Sequence, residues 1–99
     1  MTSYFSSVEW NRIKAAANVR KHGVTFEEAE TVFDDPYARV LPDTDHSDSE
    51  ERFVILGLSS KGRALLVCHC LRNAGQVLRI ISARRATNRE ESSYWRFRK

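Results

Sequence analysis

The apolar residues keep a helical spacing in the first third of the chain and switch to strand-like runs from about residue 39. Tyr4 to Trp10 reads as a brief strand, and Asn11 as the N-cap of a helix that runs to about His22 and is ended by Gly23. On that helix Trp10, Ile13, Ala16 and Ala17 fall on one side, predicted to pack. Lys14, Asn18, Lys21 and His22 form an adjoining stripe available to a ligand. Thr25 with Glu28 forms a capping box for a second helix, with Val24 and Ala29 as its hydrophobic staple and Phe26, Ala29 and Phe33 as its core face. Asp34-Asp35-Pro36 stops it, because proline cannot continue a helix and restricts the residue before it.

Strands follow at Arg39–Leu41, Arg52–Leu58, Arg63–Arg72 and Val77–Ala83. The last three are separated by Ser59-Ser60-Lys61-Gly62 and Asn73-Ala74-Gly75-Gln76, which read as hairpin turns and make these strands antiparallel neighbours. Simple register across the second turn sets Arg72 opposite Val77 and Cys70 opposite Arg79. Thr87 and Glu90 form a further capping box, opening a helix through about Phe97 whose Tyr94 and Phe97 are placed to pack on the sheet. The order is (β)ααββββα. It predicts an α+β fold, an antiparallel sheet of four or so strands packed with two N-terminal helices and one C-terminal helix.

Ninety-nine residues allow one domain, 1–99, and 41% apolar with 29% charged residues suits one modest core. No apolar run approaches the roughly 18 residues of a membrane span. The start of the chain lacks the pattern of a secretory signal, so a cytoplasmic location is expected. Cys68 and Cys70, two apart in a strand, are poorly placed for a mutual disulfide and lack partners for a zinc site.

The net charge of +3 conceals a division. Residues 1–50 hold five Lys+Arg against ten Asp+Glu, whereas residues 51–99 hold eleven against three, nine of the eleven being arginine. Arginine meets phosphate through a planar two-pronged fork, so a polyanion is the expected partner. Solubility and pairing with the acidic half are the plain alternative for the same residues. The acidic stretch Pro42–Glu51, with Asp43, Asp45, His46, Asp48 and Glu50, invites a calcium reading that fails on spacing. An EF-hand begun at Asp43 would need Gly at Asp48 and Glu at Val54.

No hydrolase triad, P-loop or dinucleotide fingerprint is present, and no cofactor or metal is expected. Lys21-His22 at a helix C-terminus, an arginine-rich sheet, and Glu90 with Tyr94 suit metal-free cleavage of RNA. RNA supplies its own 2′-hydroxyl nucleophile, so an enzyme needs a proton acceptor, cations for the charged phosphorane and a proton donor for the leaving 5′-oxygen. Each residue also has an ordinary use. His22 and Lys21 complement a helix dipole, Glu90 completes a capping box, Arg63 and Arg72 suit hairpin ends, and His69 suits a satisfied core position. Arg79, inside an apolar run, has to reach water or an anion, while Arg84 and Arg85 lie just before the last helix, where its N-terminus adds to an anion site.

Glu9-Trp10, Lys14, Asn18, Lys21-His22-Gly23-Val24-Thr25-Phe26-Glu27-Glu28-Ala29 and Phe33-Asp34-Asp35-Pro36 resemble the BrnT family of ribonuclease toxins. Glu51-Arg52, Ile55-Leu56-Gly57, Gly62-Arg63 and Arg79-Ile80-Ile81-Ser82-Ala83-Arg84-Arg85-Ala86-Thr87, with Glu90 and Tyr94, continue the resemblance in order, over about residues 9–94. It implies a RelE-like fold, an RNA substrate whose cleavage inhibits translation, and neutralisation by a ribbon-helix-helix antitoxin of the BrnA kind, with operator DNA reached only through that antitoxin. Carried across, Lys21, His22, Arg63, Arg79 and Arg84 are the expected catalytic group, and Lys14, Arg72, Arg85, Glu90 and Tyr94 the expected RNA contacts. Asn11 stands where the family usually has Asp, and Cys68-His69-Cys70 is outside the family pattern. The competing reading is a non-catalytic RNA-binding module, or a co-repressor partner of a DNA-binding regulator, which uses the same arginines and forms no product.

Overall fold

The computed structural model describes residues 5–43 and 51–98. They form β1 (Ser7–Glu9), α1 (Arg12–His22), α2 (Phe26–Thr31) with a 3₁₀ turn at Val32–Asp34, β2 (Arg39–Pro42), β3 (Phe53–Leu58), β4 (Ala64–Arg72), β5 (Val77–Arg85) and α3 (Asn88–Arg98). Tyr4, Asp45, His46, Asp48 and Glu50 lie outside the described residues.

The expected caps form. Asn11 Oδ1 accepts the Lys14 N–H at 3.0 Å, and Gly23, at φ +68°, ends α1 with its N–H on the Val19 carbonyl. The Thr87–Glu90 box closes in both directions, at 2.8 and 3.1 Å. The Thr25–Glu28 box is only half made. Thr25 Oγ1 accepts the Glu28 N–H at 3.0 Å, but the Glu28 carboxylate turns to Arg63 and Ser59 instead.

The sheet has five strands in the order β1-β5-β4-β3-β2. Strands β2 to β5 are antiparallel, with Arg72 opposite Val77 and Cys70 opposite Arg79 as the turn predicts. The sequence reading of a wholly antiparallel sheet needs one correction. β1 joins β5 in parallel, Ser7 opposite Val77 through Glu9 opposite Arg79. A parallel partner needs a long crossover rather than a tight turn, and hairpin chemistry cannot announce it.

Val24, Phe26, Ala29 and Val32 form a buried layer against Ile55, Leu65, Val67, Leu78, Ile80 and Ala83 of the sheet. Burying each Val, Leu, Ile or Phe side chain of this layer stabilises the fold by about 1.5–3 kcal/mol. Trp10 packs edge-on against Phe26 at 5.8 Å, and Phe33 against His69 at 4.8 Å. His69 is buried with Nδ1 3.3 Å from the Val67 carbonyl, and desolvation holds its pKa below the usual histidine value.

The face of α1 differs from the pattern. Ile13 is 80% exposed, and Asn18 is buried at 6%. The reason is a polar contact that periodicity cannot register: Asn18 Oδ1 accepts the Ala83 N–H at 3.1 Å while its Nδ2 donates to the Ala83 carbonyl at 2.8 Å and to Val24 O at 2.9 Å. One amide side chain thus plays the part of a neighbouring strand residue for β5.

α3 lies over the other face, at the β2–β3 side. Arg39, cross-strand partner of Leu56, stacks 4.4 Å from the Phe97 ring and donates to Ser93 Oγ at 2.8 Å. Tyr94 is fully buried as expected, whereas Phe97 is exposed and rests on Arg39 rather than in the core. Asp35 ties these layers together, accepting the Leu58 N–H, the Tyr37 N–H and the Tyr94 O–H at 2.8, 2.9 and 2.7 Å. Burial alone would raise its pKa, but those hydrogen bonds hold it below the usual carboxylate value. Gly57 permits the approach, since a Cβ there would lie 2.8 Å from Ala38 Cβ and 3.0 Å from Asp35 Oδ2.

Candidate functional site

β1 covers β5 only as far as Arg79, and Asn18 closes the edge at Ala83. Between them the ladder with β4 slips. Cys68 pairs with Ser82 and His69 with Ile80, which leaves Ile81 as an extra residue on β5. Such a bulge reverses the alternation of faces. Leu78 and Ile80 before it and Ala83 after it are all buried against the helices. Arg79 and Arg84, five apart and so expected on opposite faces of a regular strand, therefore share the face away from α1 and α2.

Two clefts meet at this bulge, and Ile81 with Ser82 lines both. One, of about 320 Å³, is bordered also by Asp43, Arg52, Cys68 and Arg84. The other, of about 300 Å³, is bordered by Lys14, Asn18, Lys21 and His22 of α1. Sequence separation hides the juxtaposition of the last turn of α1 with the end of β5, which the Asn18–Ala83 pair enforces.

Arg84 is held on the first cleft by Glu90, Nη1–Oε1 at 2.8 Å and Nη2–Oε2 at 3.0 Å. The Arg84 hydrogen bonds pull the Glu90 carboxyl down to about 2, and Glu90 in turn raises the guanidinium. Because Glu90 Oε1 also accepts the Thr87 N–H, the start of α3 fixes where this cation stands. Cys68 Sγ donates to Asp43 Oδ2 at 3.4 Å, and burial with that carboxylate pushes the thiol up to about 11. It is a poor nucleophile at neutral pH.

Of the residues singled out in the sequence, Lys14, Lys21, His22 and Arg84 border the paired clefts, with Glu90 behind Arg84. Arg79 shares the outer face with Arg84 but lies toward β1, its Nη1 2.9 Å from Glu9 Oε2. Arg72 is beside the β4–β5 hairpin opposite Val77. Arg85 pairs with the core residue Leu65, on the opposite face from Arg84. Tyr94 is buried under α3, its phenol pushed up to about 12 by burial and by Asp35.

Arg63 stands apart from the clefts, at the α1–α2 junction. Its Nε donates to Glu28 Oε2 at 3.0 Å, its Nη2 to Glu28 Oε1, and Nη2 also reaches Gly23 O at 3.3 Å. The Arg63 hydrogen bonds hold the buried Glu28 carboxyl below the usual value. The sequence reading missed Arg52, Asp43 and Ser82 as cleft residues. Ser82 is placed by its pairing with Cys68, which depends on the bulge and which a regular register does not provide, while Asp43 and Arg52 meet at the end of the β2–β3 ladder, the Asp43 N–H donating to Arg52 O. Among the described residues no three His, Cys, Asp or Glu gather as a metal site, and no helix is long and apolar enough to cross a membrane.

The architecture is that of a small α+β domain with two basic clefts that adjoin at Ile81 and Ser82, one on the outer sheet face and one beside α1, and residues 10–90 match the model of the family described as "Ribonuclease toxin, BrnT, of type II toxin-antitoxin system". The match spans most of the 99 residues, and the chain belongs to that family. Its fold is similar to the 1.1 Å crystal structure of the Brucella abortus ribonuclease toxin BrnT, with a TM-score of 0.64 at 23% identity, over 83% of this chain and 97% of that one. Among curated proteins none matches the sequence.

Proposed function

We propose that this toxin cleaves RNA at the seam between the two clefts, by acid–base chemistry that needs no metal ion. The observation that carries this reading is the meeting of Lys14, Lys21 and His22 with Arg84 across Ile81 and Ser82. The scissile phosphate lies on Arg84, whose guanidinium is already oriented by Glu90 and needs no rearrangement as charge develops. His22 and Lys21, in the adjoining cleft beyond Ile81 and Ser82, move the protons: one from the attacking 2′-hydroxyl, one to the departing 5′-oxygen, leaving a cyclic phosphate and a 5′-hydroxyl end. Lys14 and Arg79 hold the flanking phosphates. Arg63 acts through Glu28 and Gly23, fixing the turn that carries Lys21 and His22.

The antitoxin in this reading is a ribbon-helix-helix protein of the BrnA kind, through which alone the toxin reaches operator DNA. The deciding experiment is purified toxin with RNA in excess chelator. Cleavage to 5′-hydroxyl ends is expected, and loss of cleavage on chelation overturns the metal-free mechanism. Growth arrest on inducing the chain, relieved by co-expressing its neighbouring reading frame, tests the inhibition of translation and the partner.

A further inference from the structure

We propose that the outer edge of β2, the exposed aromatics of α3 beside it and the acidic cleft at its start form one docking surface, for an extended protein segment that is apolar along its length and basic at one end. This rests on the toxin reading above, in which that segment belongs to the antitoxin. β2 is the last strand of the sheet, with no strand beyond it among the described residues. Val40 and Leu41 on it are each 54% exposed, and Phe97 across from it is 64% exposed. An edge carrying apolar side chains is a template for one more strand; with Asp43 N–H on Arg52 O and Arg39 and Leu41 paired inward, the Val40 N–H and the Val40 and Pro42 carbonyls turn outward, and these give affinity while alternate side chains give specificity.

The two ends of this edge have different chemistry. Arg39, at its start, stacks on Phe97, and Arg98 stacks 4.5 Å from Tyr37 and 5.0 Å from Trp95. Arg98 also lines a cleft of about 630 Å³ together with Glu27, Glu30, Asp34 and Asp35, so the apolar edge runs directly into a carboxylate-lined hollow. Asp43, immediately after Pro42 at the other end, borders the Arg84 cleft. A segment laid along the four residues of β2 spans about 13 Å, from the acidic hollow to the mouth of the RNA site.

Charge selects the occupant. With Arg98 set against Asp35, the remaining carboxylates leave the hollow net negative, which repels a nucleic acid and attracts lysine or arginine, and a DNA-binding antitoxin carries basic residues. A second copy of this chain would bring its own carboxylates to the seam, since a two-fold contact repeats the same patch. Occupation of the edge up to Asp43 then excludes RNA from the Arg84 cleft, so partner and RNA compete.

The test measures binding of the protein encoded by the neighbouring reading frame to wild-type toxin and to Leu41→Glu, Phe97→Glu and Glu30→Lys. Ile13→Glu, on exposed α1, is the control. Cleavage of RNA by each free variant is measured alongside. Each of the three variants is expected to weaken partner binding at least tenfold, with free cleavage within twofold of wild type and Ile13→Glu unchanged in both. The surface is overturned by unchanged binding in the three variants, by failure of the neighbouring product to bind wild type, by loss confined to Ile13→Glu, by loss of RNA affinity in Leu41→Glu, or by self-association of wild type that Leu41→Glu abolishes. Loss of partner binding in Leu41→Glu, in a protein that never cleaves RNA, upholds the surface and overturns the ribonuclease reading instead.

Discussion

Arg84 and Glu90 meet through two parallel contacts of 2.8 and 3.0 Å, one residue at the end of β5 and the other in the first turn of α3. The pair stands at the border of the cleft rather than inside the core, and this decides what its removal does. Arg84→Ala leaves Glu90 bonded to the Thr87 N–H, and a partly exposed ion pair contributes only about 1 kcal/mol or less. Loss of one preorganised donor to the phosphorane costs about 10²-fold or more in rate. Arg84→Ala is therefore expected to lower RNA cleavage about 10²-fold with a melting temperature close to wild type. A loss of only a few-fold in initial rate would remove Arg84 from the phosphate.

The same pair sets an acid limit. The Arg84 hydrogen bonds lower the Glu90 carboxyl from 4.5 to about 2, so the folded state binds that proton more weakly than the unfolded chain. The stabilisation is present in full above pH 4.5 and fades as the pH falls toward 2. After allowance for solvent screening it amounts to about 1 kcal/mol. Unfolding free energies of wild type and Glu90→Gln from urea titrations are expected to differ by that amount at neutral pH and to converge through the acid window. A constant difference would contradict the linkage.

Asn18→Ala removes three hydrogen bonds and leaves both main-chain groups of Ala83 without their side-chain partner. A loss of about 2 kcal/mol is expected from denaturant unfolding, larger than for any alanine substitution on the exposed face of α1. Cleavage should fall as well, because this residue sets α1, and with it Lys21 and His22, against β5.

Arg63 tests positioning against contact. Arg63→Ala strands the buried Glu28 carboxylate and is expected to cost about 3 kcal/mol. In the double variant Glu28→Gln, Arg63→Met the uncompensated charge is gone, and stability should recover in part. Recovery of cleavage with stability in the double variant fits a residue that fixes the Lys21–His22 turn. Cleavage still lost at restored stability would mean that the guanidinium itself meets RNA.

Features governed by neighbours in sequence were legible: the Asn11 and Thr25 caps, the Thr87–Glu90 box, the β4–β5 register from the turn as far as the bulge, and the burial of Phe26, Ala29 and Tyr94. Those governed by distant partners were not. Glu28 satisfies a capping pattern in the sequence, yet its carboxylate answers to Arg63, thirty-five residues away. Asn18 looked like a surface residue because helical periodicity counts apolar groups, while its burial rests on hydrogen bonds to another element. For the site, Lys14, Lys21, His22 and Arg84 could be nominated by residue type. Their meeting depended on one surplus residue at Ile81, for which strand alternation gives no sign.

The Asn18 amide has a consequence for the life of the chain in a crowded cell. A bare strand margin invites other chains to stack onto it, which is how soluble domains begin to polymerise. By occupying the donor and acceptor of Ala83, the amide plugs the margin of β5 from within the same molecule, without a further strand and without giving up the opening beside it. Growth of the sheet is thus blocked beside the cleft that Lys14, Lys21 and His22 border.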